Sequence, residues 1–113
     1  MLMLQRATNR TDPGSWDLVT GHIQERESVE EAGLRELKEE TNLTGRVIDV
    51  ANPVLIDETD VRWVDFAVLV EVEDASQFKM DQNESQSYKW IRANDPLIES
   101  SLGAKTSLKS LGL

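Results

Sequence analysis

The sequence contains no cysteine, one histidine and three prolines among its 113 residues. Without cysteine the chain can form no disulfide, no zinc–thiolate site and no catalytic thiol. It also has neither an apolar run long enough to span a bilayer nor a secretory leader pattern. We therefore expect a cytoplasmic protein rather than a secreted or membrane-embedded one.

Basic residues are scarce as well. The chain carries 12 lysines and arginines against 21 acidic residues, which gives a formal net charge of −9. No basic stripe is present, and this argues against binding double-stranded nucleic acid or an anionic membrane surface. An acidic protein that binds a polyphosphate needs positive charge from elsewhere, and divalent metal ions can supply it. The length predicts one domain, residues 1–113.

The most informative feature is a run of polar residues at fixed spacing between residues 21 and 43. Gly21 is followed after five residues by Glu27, and seven residues later the chain reads Arg-Glu-Leu-Lys-Glu-Glu over residues 35–40. Ser28 is a candidate helix cap, and apolar or small residues recur every four positions after it. We therefore predict an amphipathic helix from about Ser28 to Thr41.

Three glutamates of this helix, Glu36, Glu39 and Glu40, fall within an arc of roughly 100°. Like charges so close repel one another and raise each other's pKa, and a bound cation would offset that repulsion. Carboxylate oxygens suit Mg²⁺ or Mn²⁺. The alternative is a solvated acidic face, which the paired glutamates alone would favour. The complete string of fixed positions favours a cation site instead.

The string resembles the signature of the Nudix (MutT-like) hydrolases. That signature is Gly, five residues, Glu, seven residues, Arg-Glu, an aliphatic residue, any residue, Glu-Glu, any residue, Gly and an aliphatic residue. The chain matches it at Gly21, Glu27, Arg35, Glu36, Leu37, Glu39, Glu40 and Leu43. It departs at Asn42, where the family has glycine. That position needs a left-handed backbone, which Asn tolerates next best after Gly, so we expect no loss of chemistry.

The resemblance implies an α/β (α+β) fold, in which a mixed β-sheet lies between α-helices. It implies hydrolysis of a nucleoside diphosphate linked to another group, with water attacking phosphorus and Mg²⁺ or Mn²⁺ assisting. By analogy the metal ligands are Glu36, Glu39, Glu40 and the backbone carbonyl of Gly21, although Glu36 is the general base in some members. Glu27 and Arg35 are expected to pair and so orient the loop and the helix. Glu84 is the candidate further carboxylate, as metal ligand or as base.

Segments outside the signature extend the resemblance. Residues 2–6, 16–22 and 83–91 are similar to those of dihydroneopterin triphosphate pyrophosphatases. The same segments also suit hydrolases of nucleoside triphosphates or of ADP-ribose, so the substrate stays open within nucleotide-like polyphosphates. Two other interpretations are open: a Nudix-like binding module without turnover, and an unrelated acidic domain with a chance match.

The rest of the chain yields four expectations about its architecture. Residues 62–72 are predicted as one central strand with Trp63 in the core, and residues 57–60 as a polar turn. A C-terminal helix capped by Asp95 is expected to bury its leucines and isoleucine, at positions 97, 98, 102, 108 and 111. Nudix domains usually have a strand before the segment equivalent to residues 1–6. Its absence is expected to expose a sheet edge beside the first strand, so that a homodimer can form.

Overall fold

The computed structural model describes residues 1–57 and 59–113. In that part of the chain the strands are β1 (Leu2–Arg6), β2 (Trp16–Asp17), β3 (Gly45–Val50), β4 (Val54–Asp57), β5 (Arg62–Asp65), β6 (Val68–Val72) and β7 (Ser85–Trp90). The helices are α1 (Val29–Thr41) and α2 (Leu102–Ser110), with short 3₁₀ turns at Ala75–Gln77 and Pro96–Ser100. The predicted turn at 57–60 includes residue 58, which lies outside the described residues.

Strand β1 is the centre of a three-stranded antiparallel sheet with the order β2-β1-β7. Because side chains alternate along a strand, its two faces bury different residues. Leu2 and Leu4 pack with Leu43 and with Leu37 of α1, whereas Met3 packs with Leu108 of α2 and its neighbours. The sheet therefore lies between the two helices, which confirms the predicted fold class.

The position of β1 corrects one expectation. The first strand was predicted to border an open sheet edge, but it is flanked by β2 at Leu4–Asp17 and by β7 at Leu2–Trp90. Pairing with β7, which comes some eighty residues later in the chain, was not visible in the local sequence. The outer strands of this sheet in the described residues are β2 and β7.

Helix α1 also packs on a second antiparallel pair, formed by β3 and β6. An ideal Cβ at Gly33 would lie 3.2 Å from the Val68 side chain, so the glycine lets the helix approach this pair closely. The strand predicted over residues 62–72 is in fact two strands, because the chain changes partner at Phe66 and Ala67. Strand β6 pairs with β3, whereas β5 forms a separate hairpin with β4.

The hairpin of β4 and β5 places Trp63 differently from the prediction. Trp63 is 42% exposed, so the prediction that it lies in the core was wrong. The physical reason is that β5 hydrogen-bonds only to β4 among the described strands, so Trp63 lies on a two-stranded hairpin and not on a central strand with a neighbour on each side, as β1 is.

The C-terminal region is a 3₁₀ turn followed by α2, and not one continuous helix. Asp95 accepts a hydrogen bond from the Leu97 amide (2.9 Å), as its predicted capping role requires. Ser101 then adopts an extended backbone, which separates the 3₁₀ turn from α2. Ser101 also caps α2, since its hydroxyl accepts a hydrogen bond from the Ala104 amide at 3.1 Å. Because α2 starts at Leu102, that side chain points outward and is 73% exposed, contrary to prediction. Ile98 and Leu108 are buried as expected.

None of the helices in the described ranges is long and apolar enough to cross a membrane.

Candidate active site

Helix α1 carries most of the predicted site, and its ends are fixed by local hydrogen bonds. At the N-terminus the Ser28 hydroxyl accepts from the Glu31 amide, and the Glu31 carboxylate accepts from the Ser28 amide, both at 3.1 Å. At the C-terminus Asn42 adopts the left-handed conformation (φ 60°, ψ 11°), and its side chain donates to the Gln77 carbonyl at 3.0 Å. Asparagine thus serves where the family signature has glycine, and the predicted helix is confirmed.

Arg35 joins the loop before the helix to the helix itself. Its guanidinium makes two parallel hydrogen bonds to the Glu27 carboxylate, Nε to Oε2 at 2.6 Å and Nη2 to Oε1 at 3.0 Å. Nη2 also donates to the carbonyl of His22 at 2.8 Å. The hydrogen bond from Arg35 lowers the pKa of Glu27, so this carboxylate stays ionised. The predicted pair is therefore present, and it holds the loop against α1.

The same guanidinium reaches two of the predicted metal ligands. Nη1 of Arg35 lies 2.9 Å from Oε1 of Glu36 and 3.2 Å from Oε2 of Glu39. The Glu36 side chain is 18% exposed and that of Glu39 is 57% exposed. Arg35 thus orients the more buried carboxylate strongly, while Glu39 stands largely in solvent.

Gly21 lies against Glu36 with no room for a side chain between them. An ideal Cβ built on Gly21 would fall 2.0 Å from Cδ and 2.2 Å from Oε1 of Glu36. The described glycines with positive φ are Gly14 and Gly112, so Gly21 is required by this contact and not by its backbone conformation. The predicted carbonyl ligand and the predicted carboxylate ligand are consequently neighbours.

Glu40 is a partly buried carboxyl with other carboxylates around it. Burial, reinforced by the nearby carboxylates of Glu36, Glu84 and Asp81, raises the pKa of Glu40 to about 8, while the positive charge of Arg6 opposes the shift. A partly buried carboxyl among other carboxylates is where a cation would be bound most favourably.

Glu84 reaches this cluster through a loop that is tied to both β1 and α1. The Ala7 amide donates to the Glu84 carbonyl at 3.0 Å, and the Asp81 amide donates to the Glu40 carbonyl at 3.1 Å. The Glu84 carboxylate also pairs with Arg10 at 3.0 Å. Asp81 and Arg10 could not be singled out from the sequence, because only the folded loop brings them to the glutamates.

The predicted residues thus form two groups that share Glu36. In one group Arg35 bonds Glu27, Glu36 and Glu39, and Gly21 touches Glu36. In the other, Glu40 lies near Glu36 and Glu84. Within residues 1–57 and 59–113, no three acidic or histidine side chains converge closely enough to enclose a metal ion by themselves. The donors are nevertheless carboxylate and carbonyl oxygens, as Mg²⁺ and Mn²⁺ prefer, and negative charge is in excess around Glu40. The residues fit a divalent cation by donor type and by charge.

The chain is similar to proteins of a known family. Residues 1–110 match the model of the NUDIX domain family. No curated protein sequence matches the chain significantly. The structure of a MutT protein from Methanosarcina mazei Go1 is similar at 32% identity and a TM-score of 0.62, over 81% of this chain and 66% of that one.

Two further solved structures are similar over nearly the whole chain. The dihydroneopterin triphosphate pyrophosphohydrolase of E. coli shares 26% identity over 99% of this chain and 86% of that one, with a TM-score of 0.64. An Ap4A hydrolase of C. elegans, in a binary complex, has a TM-score of 0.76 at 21% identity over 98% of this chain and 82% of that one, a likeness of fold alone. The chain therefore belongs to the Nudix family of hydrolases, enzymes that act on phosphoric anhydrides.

Proposed function

We propose that this protein hydrolyses the diphosphate linkage of a nucleoside diphosphate joined to a further group, in a reaction that depends on Mg²⁺ or Mn²⁺. Nucleoside triphosphates and dihydroneopterin triphosphate are the candidate substrates. The likeness to a MutT protein and to a dihydroneopterin triphosphate pyrophosphohydrolase supports this choice. The observation that carries the proposal is the Arg35 network, which joins the loop of Gly21, His22 and Glu27 to Glu36.

In this proposal Glu36, Glu39, Glu40, Glu84 and the carbonyl of Gly21 hold the divalent cation. When bound, the cation polarises the phosphoryl oxygens and lowers the pKa of water. The chain supplies the geometry: Arg35 fixes the Glu36 carboxylate, and Glu27 fixes Arg35. Glu39 is exposed enough to change rotamer and leave Arg35, and such a change is needed before three carboxylates can converge.

The acidic residues around Glu40 also define what the site can accept. A polyphosphate bears several negative charges and would be repelled by Glu36, Glu40 and Glu84 without compensation. Positive charge from Arg6 and Arg10, which lie near Glu40 and Glu84, offsets part of this repulsion. The attacking water passes its proton to a carboxylate, for which Glu36 and Glu84 are the two candidates. Hydrolysis then depends on positioning and on charge neutralisation, as phosphoryl transfers generally do.

The test is release of phosphate or pyrophosphate over a panel of substrates with Mg²⁺, with Mn²⁺ and with a chelator. The panel holds nucleoside triphosphates, dihydroneopterin triphosphate, ADP-ribose and dinucleoside polyphosphates. Glu40→Gln removes a proposed ligand without changing size, whereas Glu30→Gln makes the same change at an exposed position of the same helix.

We expect metal-dependent turnover that Glu40→Gln lowers by at least about 100-fold and Glu30→Gln leaves intact. We also expect Mg²⁺ or Mn²⁺ to raise the melting temperature of the wild type but not of Glu40→Gln, because a ligand bound to the native state stabilises it. Turnover that persists in chelator, or a Glu40→Gln enzyme of full activity, would contradict the metal assignment. No turnover of any substrate would contradict the proposed reaction.

A further inference from the structure

Trp63 is an exposed aromatic residue beside the candidate active site. It lies on β5, and its ring centroid is 5.5 Å from that of His22, with an angle of 75° between the ring planes. Rings that meet nearly at right angles do not cover each other face to face. At least one broad face of the indole is therefore left open by His22, in agreement with the 42% exposure of Trp63.

His22 connects Trp63 to the glutamates through short contacts. It follows Gly21, which touches Glu36, and its own carbonyl accepts a hydrogen bond from Arg35. These links put the Trp63 ring roughly 16 Å or less from the Glu36 carboxyl, given standard backbone dimensions. That distance is comparable to the length of an extended nucleoside triphosphate.

The hairpin has two faces, and Trp63 is on the one that is turned toward the rest of the molecule. Side chains alternate along β5, so Trp63 and Asp65 share a face and Val64 lies on the other. Asp65 is partly buried and lies near Asp17 of β2. Its burial and the negative charge of Asp17 both raise the pKa of Asp65. On the other face Val64 and its cross-strand partner Leu55 are each 60% exposed. Trp63 therefore lies on the face turned toward the rest of the molecule and is still partly open to solvent.

We propose that Trp63 is the surface on which the planar heterocycle of the substrate stacks, with His22 supporting the indole from the side of the loop. The inference rests on the proposed function and assigns to Trp63 the contact that recognises the purine, pyrimidine or pterin ring of the substrate. Diphosphates of sugars without such a ring gain nothing from this contact. Stacking on an aromatic side chain tolerates different bases, because every base has a π-face.

Three other aromatic residues are partly exposed but form a separate cluster. Phe78 lies 4.5 Å from Tyr88 and 6.4 Å from Trp90 between ring centroids, and Tyr88 and Trp90 are 49% and 44% exposed. Phe78 and Tyr88 line a shallow hollow whose other lining residues are 79–82, on the loop that follows β6. In the described residues, the aromatic contact that involves the loop of Gly21 is the contact between His22 and Trp63. Tyr88→Ala is accordingly the variant that tests the competing location.

The kinetic test compares Trp63→Ala and Trp63→Phe with Val64→Ala, a control on the opposite face of the same strand. For a ring-bearing substrate we expect Trp63→Ala to raise KM by roughly 5- to 150-fold with little change in kcat, which is the range of base stacking on an aromatic side chain. Trp63→Phe should recover most of this loss, and Val64→Ala should behave like the wild type. Inhibition by inorganic pyrophosphate, which has no ring, should be the same in all four proteins.

An unchanged KM in Trp63→Ala, or a rise in KM with Tyr88→Ala in its place, would overturn the proposal. So would an equal loss of affinity for inorganic pyrophosphate, since that would point to a general disturbance of the site.

A binding measurement keeps this inference separate from the proposed reaction. The chain has three tryptophans, so Trp16→Phe with Trp90→Phe leaves Trp63 as the sole indole fluorophore. A non-hydrolysable α,β-methylene nucleoside triphosphate should quench its emission, and inorganic pyrophosphate should not. Quenching without turnover of any substrate would support the stacking surface and contradict the proposed hydrolysis. Turnover without quenching by the nucleotide analogue or by a pterin would contradict the stacking surface alone.

Discussion

Replacing Gly21 by alanine should disable the enzyme without unfolding it. The new Cβ would lie 2.0 Å from Cδ of Glu36, whereas carbon atoms in contact are about 3.5–4.0 Å apart. The Glu36 carboxyl must therefore move by at least about 1.5 Å, away from its hydrogen bond to Arg35. A misplacement of 1 Å can cost about 100-fold in rate, so we expect kcat/KM to fall by that factor or more.

Stability should respond differently, because Gly21 does not have a positive φ and alanine fits its backbone. A compatible change from glycine to alanine stabilises by about 0.4–1 kcal/mol through the unfolded state. In the Gly21→Ala enzyme the displaced Glu36 side chain cancels this gain. In a Glu36→Ala background the clash is absent, and the full gain should appear. This double-mutant cycle isolates the contact between the two residues.

The assays are turnover of the best substrate of the panel and urea unfolding of the four proteins of the cycle. Gly103→Ala is the control for activity, since an ideal Cβ there would meet Asp17 and not a proposed catalytic residue. A Gly21→Ala enzyme within twofold of wild-type activity would refute the reasoning. Equal stability changes in the two backgrounds would show that the effect does not act through Glu36.

Three further predictions concern single residues. Arg35→Lys keeps the charge but loses the two parallel hydrogen bonds to Glu27, so kcat/KM should fall about 10- to 100-fold. The far-ultraviolet circular dichroism spectrum should stay unchanged. Activity within twofold of the wild type would contradict the positioning role. Asn42→Ala should lower the free energy of unfolding by about 1–2 kcal/mol, because alanine disfavours the left-handed backbone. Asn42→Gly should lower it by less than half of that amount. Equal losses for the two variants in urea unfolding would rule this explanation out. Leu43→Ala, at a fully buried side chain, should lower the free energy of unfolding by about 2–5 kcal/mol. Leu102→Ala, at an exposed side chain, should lower it by less than about 0.5 kcal/mol. Similar unfolding midpoints for the two variants would contradict the described core.

Features that depend on neighbouring residues in the chain were predictable from the sequence. Helix α1 begins and ends where the Ser28 cap and the left-handed Asn42 place it, because both act within one helical turn. The pair of Glu27 and Arg35 was expected from the family resemblance, and the structure contains it at 2.6 Å.

Features that depend on partner choice were not predictable. An alternating apolar pattern marks residues 62–72 as strand, but it does not say that the chain changes partner at residues 66 and 67. Trp63 was placed in the core for that reason. The start of α2 likewise depends on Ser101, whose hydroxyl bonds both Ala104 within the helix and Asp17 on β2. Because α2 starts at Leu102 and not near Asp95, the Leu102 side chain points outward.

The proximity of Asp81 to Glu40 is also a product of tertiary structure. The loop that carries it is held by backbone hydrogen bonds to Thr41 and Glu40 at the end of α1. Such bonds leave no trace in side-chain composition, since any residue other than proline can donate them. The signature therefore selects candidate glutamates on α1, but it does not predict which other charged groups surround them.

The central position of β1 has a consequence for how the chain folds as it is made. Leu2 pairs with Trp90, so β1 meets its β7 partner only after 88 further residues have been synthesised. At about 5–20 residues per second, the ribosome takes roughly 4–18 s to supply that partner. During this interval β1 can pair only with the two-residue strand β2, although Leu2, Met3 and Leu4 are all buried in the complete fold. Contacts of such long sequence separation slow folding, and apolar side chains that stay exposed until late pairing favour aggregation of the nascent chain.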